Sequence, residues 1–306
     1  MTTSFETGPG LKPGQSVVGK WNRGVYTIER LLGVGANGFV YLARRGGRLC
    51  ALKFGRDSLD LHTEINALKA LGRGGSGLRG YFLEADDAIL GTKEVPFYAM
   101  KYVQGAHIGQ FLQERGPDWF YPLTLQLIGK LAAIHRSGYA FCDLKRDNVL
   151  VDRSGALELI DYGGVTRCGR SVRQFTELYD RGYWNMGDRK AEPSYDLFSF
   201  AVLCLQLADP LKELDDAIGV MPQRRNLETL LQVLGRCPLT PPVKGILRGI
   251  LEGRWSDSGD VYEEWRHATA AHPGRDAGSR DPSAWLSGAL AVSVLAFFVS
   301  LYILLQ

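Results

Sequence analysis

The sequence predicts an α+β protein in two lobes, a β-rich N-terminal lobe and a helical C-terminal lobe, plus one C-terminal transmembrane helix. Three observations predict this. Residues 25–55 hold three short strand-like runs, YTIERLL, FVYLAR and RLCALKF, with Gly46 and Gly47 marking a turn between the last two. From about Gly105 the apolar residues recur at helical spacing. Every charged residue lies at or before Asp281, so the 22 residues from Ala284 to Leu305 carry no charge.

Taken in order, residues 1–20 are polar, contain Gly8, Pro9, Gly10, Pro13 and Gly14, and read as a tail. Residues 21–103 form the strand-rich lobe. Within it LDLHTEINALKAL places Leu61, Ile65, Leu68 and Leu71 on one helical face, and VPFYAMKYV reads as a further strand. Residues 104–268 form the helical lobe. TLQLIGKLAAIH keeps an apolar face through Leu125, Ile128, Leu131 and Ile134, and the nearly continuous apolar run SYDLFSFAVLCLQL predicts a helix deep in a core. Residues 269–283, with two prolines, read as a juxtamembrane linker. Residues 284–305 span about 33 Å as a helix, enough for a hydrocarbon core. Trp285 and Tyr302 stand near its two ends, and Arg266, Arg275 and Arg280 flank only the near side. That bias predicts a single-pass protein of the cell membrane whose large N-terminal part is cytoplasmic.

Composition narrows the functional classes. Of 306 residues, 45% are hydrophobic and 23% charged, which excludes a wholly disordered chain or a collagen-like fibre. A net charge of +3 is too mild for a dedicated nucleic-acid coat. The opening MTTSFETGPG has no apolar core of a signal peptide. Five scattered cysteines without a CxxC pair argue against a zinc site or a disulfide framework and fit a reducing compartment.

Four motifs carry chemistry. Gly33, Gly35 and Gly38 form a GxGxxG run between two strands. A dinucleotide fold would need a helix after the glycines; a strand follows here, so the loop is a flap whose N–H groups can approach phosphates. Lys53 sits among apolar residues on the third strand, where burial demands an acidic partner, and Glu64 on the next helix is the candidate. Asp143 to Val151 (DLKRDNVLV) and Ile160 to Gly163 (IDYG) supply three acids and an asparagine, with a hairpin expected at 152–155. Two acids and an asparagine converging on one cleft are hard oxygen donors suited to Mg²⁺ on phosphates, and a third acid can orient a hydroxyl nucleophile.

In this order and spacing the chain, from about Tyr26 to about His267, resembles the Hanks-type (eukaryotic-like) protein kinases. The resemblance implies ATP and Mg²⁺ as cofactors and protein Ser/Thr hydroxyls as substrates. It implies that Gly33, Gly35 and Gly38 cover the phosphates and that Lys53 binds them while paired to Glu64. Asp143 would take the substrate hydroxyl, Lys145 would steady the γ-phosphate, and Asn148 and Asp161 would hold Mg²⁺. Leu32, Val40, Ala51 and Leu150 would sandwich adenine, Lys101 to Val103 would form the hinge, and Met100 the gatekeeper. Asp196 would pin the catalytic-loop backbone, His135 would be structural, and Leu68, Phe141 and Tyr162 would stack. Lys145 and Thr176 point to serine/threonine rather than tyrosine kinases.

Departures from the family pattern are informative. Phe141-Cys142 replaces His-Arg before Asp143, removing the arginine that often clamps a loop phosphate; the dephosphorylated enzyme is therefore expected to remain active. Ala-Pro-Glu is absent, and its place falls near Tyr183-Trp184. Eleven residues separate Lys53 from Glu64, short for the family. The Gly-Lys-Trp lead-in, the Phe-Cys-Asp variant and the C-terminal anchor resemble the YabT-type kinases of spore-forming bacteria, with activation from the cytoplasmic side or by self-association in the membrane. Between Tyr162 and Lys190 six basic residues face three acids, a segment able to attract an acidic peptide, anionic lipid or DNA. Two other readings stay open at this point. One is a membrane-tethered pseudokinase scaffold, whose signature would be a lost Lys, Asp or Asn. The other is a small-molecule kinase, which usually carries His in place of Lys145.

Overall fold

Strand alternation sorts the N-terminal half onto two faces of one sheet. The computed structural model describes residues 9–35, 38–73, 80–212, 214 and 225–270. Most of the linker and the apolar segment 284–305 lie outside the described residues, as do residues 36 and 37 of the glycine run. The six strands are β1 (Ser16–Val18), β2 (Val25–Gly35), β3 (Gly38–Arg45), β4 (Arg48–Gly55), β5 (Phe82–Leu90) and β6 (Lys93–Lys101). They run antiparallel in the order β1-β2-β3-β4-β6-β5.

Two features curl this sheet. Register shifts in β2, between Ile28 and Arg30 and between Leu31 and Gly33, increase its twist. An isolated bridge from Gly19 to Ala88 then joins the two edge strands. The result is a nearly closed barrel filled by Val17, Tyr26, Ile28, Phe39, Leu52, Phe54 and Phe97. The Gly-Lys-Trp lead-in belongs to this closure. Asp86 on β5 accepts the N–H groups of Trp21 (2.9 Å) and Asn22 (2.8 Å), and a Cβ on Gly19 would stand 2.2 Å from its carboxylate. Part of the segment expected to be a tail thus lies within the fold, with Leu11 buried and β1 paired.

The other face of β4 and β6 points to a second core. Helix α1 (Ser58–Arg73), capped by the Asp57 carboxylate, packs Leu61, Ile65, Leu68 and Leu71 there, as its spacing predicted. The C-terminal half is built on α2 (Ile108–Arg115), α3 (Phe120–Arg136), α4 (Pro193–Ala208), α5 (Leu227–Arg236), α6 (Pro241–Leu251) and α7 (Ser258–Thr269). Helix α4 is buried without a break from Tyr195 to Leu205, which its continuous apolar run predicted. Trp265 on α7 meets Phe200 of α4 edge-on, ring centres 5.1 Å apart. Strand β7 (Ala106–His107) precedes α2, and between α3 and α4 short strands carry the polar loops: β8 (Tyr139–Ala140), β9 (Val149–Val151), β10 (Leu157–Leu159) and β11 (Thr166–Arg167). One core runs continuously from α1 and β6 into α3 and α4, so the two halves share buried apolar contacts on either side of a polar cleft.

Candidate active site

The cleft begins with β4. Cys50, Leu52 and Phe54 point into the barrel, so Ala51 and Lys53 point to the opposite face, toward α1. Helical spacing puts Glu64 on the same face of α1 as Leu61 and Leu68. Lys53 Nζ lies 2.8 Å from Glu64 Oε1 and 2.7 Å from Asp161 Oδ1, with Lys53 only 3% exposed. The 11-residue spacing is therefore long enough. Burial opposes the ammonium charge, but the carboxylates of Glu64 and Asp161 outweigh it and hold the Lys53 pKa above its ordinary value. Burial likewise opposes the Asp161 charge, and Lys53 outweighs it, holding that carboxyl below the usual carboxylate value. Tyr98 on β6 also donates to Glu64 Oε1 at 2.8 Å.

Asp143 lies across the cleft. Its carboxylate accepts Lys145 Nζ (2.8 Å) and Asn148 Nδ2 (3.2 Å) on Oδ2, and the Thr176 hydroxyl (2.9 Å) on Oδ1. Lys145 Nζ also reaches Thr176 Oγ1 at 3.3 Å. A carboxylate offers about four acceptor sites, so one remains open on Oδ1. Asn148 Nδ2 is fixed on the Asp143 carbonyl at 2.8 Å. Among the described residues nothing donates to Asn148 Oδ1 or Asp161 Oδ2, and the Asp161 side chain is 37% exposed. Two free hard oxygens on one cleft fit Mg²⁺, the cation the family implies.

The loop is held from beneath. Asp196, fully buried at the start of α4, accepts the N–H groups of Phe141 (2.6 Å) and Cys142 (2.8 Å). His135 bonds the same carboxylate through Nε2 at 2.8 Å and Ser258 through Nδ1 at 2.6 Å, which occupies both ring nitrogens away from the cleft. Cys142 and Asp161 both take the left-handed backbone conformation, with φ of 64° and 58°. Such non-glycine residues persist where the surroundings dictate them. Phe141 meets Tyr162 edge-on at 5.5 Å, and Tyr81 adds a further ring at 5.0 Å, while Leu68 lies in the same core.

The remaining expected contacts are distributed along β2 to β6 and β9. Leu32, Val40 and Val103 are half-buried against the core that holds Ala51 and Met100. Leu150 is half-buried on β9 opposite His107 and Glu158. The Lys101 N–H donates to the Tyr81 carbonyl at 2.8 Å, so any bond from its backbone to a base edge comes from its carbonyl. Gly33 and Gly35 face open space. Gly38 alone is sterically required: its φ is 150°, and a Cβ would stand 2.0 Å from the Phe54 carbonyl oxygen.

Sequence reasoning missed Asp180. It is 1% exposed and accepts Tyr183 N, Arg189 Nε and the Tyr195 hydroxyl at 2.8 to 2.9 Å. Next to it, Arg181 pairs with Asp188 and Glu192 at 2.8 Å. At the place expected for Ala-Pro-Glu, Trp184 is fully buried, with its indole N–H on the Leu178 carbonyl at 2.7 Å. An acid network and an aromatic plug anchor this segment to α4. Nothing in the local sequence distinguished Asp180 from a surface aspartate.

With this geometry in place, comparison with known proteins is direct. The protein kinase domain family matches residues 26–235, and the chain belongs to that family. It is 43% identical over 199 residues to the serine/threonine-protein kinase YabT of Bacillus subtilis, covering 64% of this chain and 59% of YabT. It is 28% identical over 216 residues to serine/threonine-protein kinase F of Synechocystis, covering 60% of this chain and 43% of that protein. The chain spans less than two thirds of the length of these curated relatives. Among solved structures, vaccinia related kinase 3 superposes with a TM-score of 0.64 at 14% identity, over 88% of this chain and 93% of that one, a likeness of fold.

Proposed function

We propose that the chain is a serine/threonine protein kinase that transfers the γ-phosphate of ATP to Ser or Thr hydroxyls of proteins. The observation that carries this reading is the convergence of Asp143, Lys145, Asn148 and Asp161 with the buried Lys53–Glu64 pair on one cleft. Asp143 orients the incoming hydroxyl and accepts its proton; the open acceptor site on Oδ1, beside the Thr176 hydroxyl, marks where that donor binds. Lys145 supplies positive charge next to the same carboxylate. Lys53 holds the α- and β-phosphates, with Glu64 fixing its direction. Asn148 and Asp161 would hold Mg²⁺, which would supply charge neutralisation on the phosphate oxygens. Gly33 and Gly35 leave room for the phosphates beneath the flap, and Gly38 keeps the flap closed on β4. Leu32, Val40, Ala51, Leu150 and Val103 form the apolar slot for adenine.

All three residues whose loss would mark a pseudokinase, Lys53, Asp143 and Asn148, are present. Lys145 stands where small-molecule kinases usually carry His. Purified protein with Mg-ATP is expected to label itself or a generic protein substrate, with label on phosphoserine or phosphothreonine. Label confined to a small alcohol, or absent with nucleotide bound, contradicts the proposal.

Two finer parts rest on sequence. The uncharged run 284–305 supports single-pass anchoring in the cell membrane with the catalytic part cytoplasmic. The Gly-Lys-Trp lead-in and the Phe-Cys-Asp variant support a signalling role of the kind expected in spore-forming bacteria.

A further inference from the structure

The segment from Arg167 to Lys190 carries an excess of cations, and the structure divides them into two groups. Arg181 pairs with Asp188 and Glu192. Arg189 pairs with buried Asp180 and lies 4.1 Å from the centre of the Phe175 ring. Lys190 lies 3.9 Å from Glu192. Arg167, Arg170 and Arg173 are exposed and have no acidic partner among the described residues.

Arg170 stands on a fixed ladder, between Arg167, which pairs with Tyr139 of β8, and Arg173 just beyond it. The Ala191 N–H donates to the Arg170 carbonyl at 2.8 Å, the Val172 N–H to the Arg189 carbonyl at 2.9 Å, and Ser171 bridges Lys190. Val172 is buried beneath the ladder with Ala140, Cys142, Ala191 and Tyr195. Cys142, which stands where a catalytic-loop arginine was expected, is therefore part of an apolar floor. The two carboxylates beside that floor are already engaged, Asp196 with the loop backbone and His135, and Asp180 with Arg189 and Tyr195, so the three arginines carry their charge at the outer rim. Arg173 donates to the Thr63 hydroxyl on α1 at 3.5 Å, a contact that directs the guanidinium without neutralising it. Thr176, three residues further on, donates to Asp143. Three residues span at most about 10 Å. An extended peptide with its hydroxyl on Asp143 therefore runs within side-chain reach of Arg173, with Arg170 and Arg167 further back along the same segment.

We propose that Arg173, supported by Arg170 and Arg167 behind it, selects substrate proteins carrying Asp or Glu within about three residues of the phosphoacceptor, the reach set by that span. The inference rests on the protein-kinase reading above. Charge complementarity favours a protein segment over duplex DNA, because tight duplex binding neutralises about six to ten phosphates and only three free arginines are available here.

The test uses the full chain in detergent and three peptides that differ only in having Glu, Ala or Lys beside the acceptor serine. An exposed ion pair contributes a factor of roughly two to five, so kcat/KM for the Glu peptide is expected to exceed that for the Lys peptide by about tenfold at low salt. High salt compresses the ranking. The double reversal Arg170→Glu/Arg173→Glu inverts it. If that variant has no unfolding transition, Arg170→Gln/Arg173→Gln replaces it and levels the ranking. Equal rates on all three peptides, or a ranking that survives these substitutions, overturns the proposal. Wild-type protein that transfers to none of the peptides or any other protein defeats the kinase reading itself, and the inference with it. Steeply salt-dependent capture of duplex DNA that requires these arginines, without any peptide ranking, also overturns it and reassigns the rim to nucleic acid.

Discussion

Lys53 is nearly inaccessible to solvent and is flanked by two carboxylates, so its removal has a signed consequence. Burial pushes the Glu64 carboxyl above its ordinary value of 4.5, and the Lys53 charge opposes that rise. In Lys53→Met the opposition disappears, and the folded Glu64 pKa climbs further. A carboxyl whose folded pKa is raised costs stability as pH rises from its unfolded value through its folded value. The stability gap between wild type and Lys53→Met is therefore expected to widen from pH 5 to pH 7, reaching about 3 kcal/mol. Thermal unfolding across that range checks it, and a gap independent of pH contradicts the assignment. Lys53, Glu64, Asp143, Asn148 and Asp161 were legible in the sequence because phosphate and metal chemistry demands those residue types in a fixed order. Tyr98 and Tyr81 were not, because a tyrosine on a strand or just before one reads as core until its hydroxyl partner, here Glu64 or Met100, is known.

Among the elements, helices α1, α3 and α4 and strands β2 to β4 and β6 follow from periodicity. Strand β5 does not. Its sequence FLEADDAIL places Glu84, Asp86 and Asp87 in a strand, and acids are poor strand formers. Asp86 is tolerated there because it closes the barrel by binding the loop of Trp21 and Asn22. The segment 177–192 was equally illegible, since the Ala-Pro-Glu signal is missing and its substitute is a network spread over sixteen residues, from Asp180 to Tyr195. Asp180→Ala leaves the buried Tyr195 hydroxyl and the Arg189 charge without their acceptor. It is expected to cost about 3 kcal/mol of stability. Because the segment adjoins Thr176, KM for a protein substrate should rise while KM for ATP stays near wild type. Steady-state kinetics on both substrates separate this from general unfolding, which lowers kcat without distinguishing the two.

At the scale of the molecule, a continuous core joins the two halves while the cleft stays polar, so the catalytic groups come from both halves and meet only in the folded chain. The uncharged run 284–305 sets the other large-scale property. Carbonate-washed membranes are expected to retain the full chain and to lose a version truncated after residue 283; release of both by carbonate contradicts the anchor. Within the cleft the proposed roles divide, Asp143 taking the acceptor hydroxyl while other residues hold the nucleotide. Asp143→Asn tests this division most directly. Transfer from Mg-ATP to a protein serine should fall by about a hundredfold or more. Saturating Mg-ATP, at roughly 100 times Kd, should still stabilise the variant by about 2.7 kcal/mol, as for wild type. Transfer within a few-fold of wild type, or loss of nucleotide stabilisation together with transfer, contradicts the account.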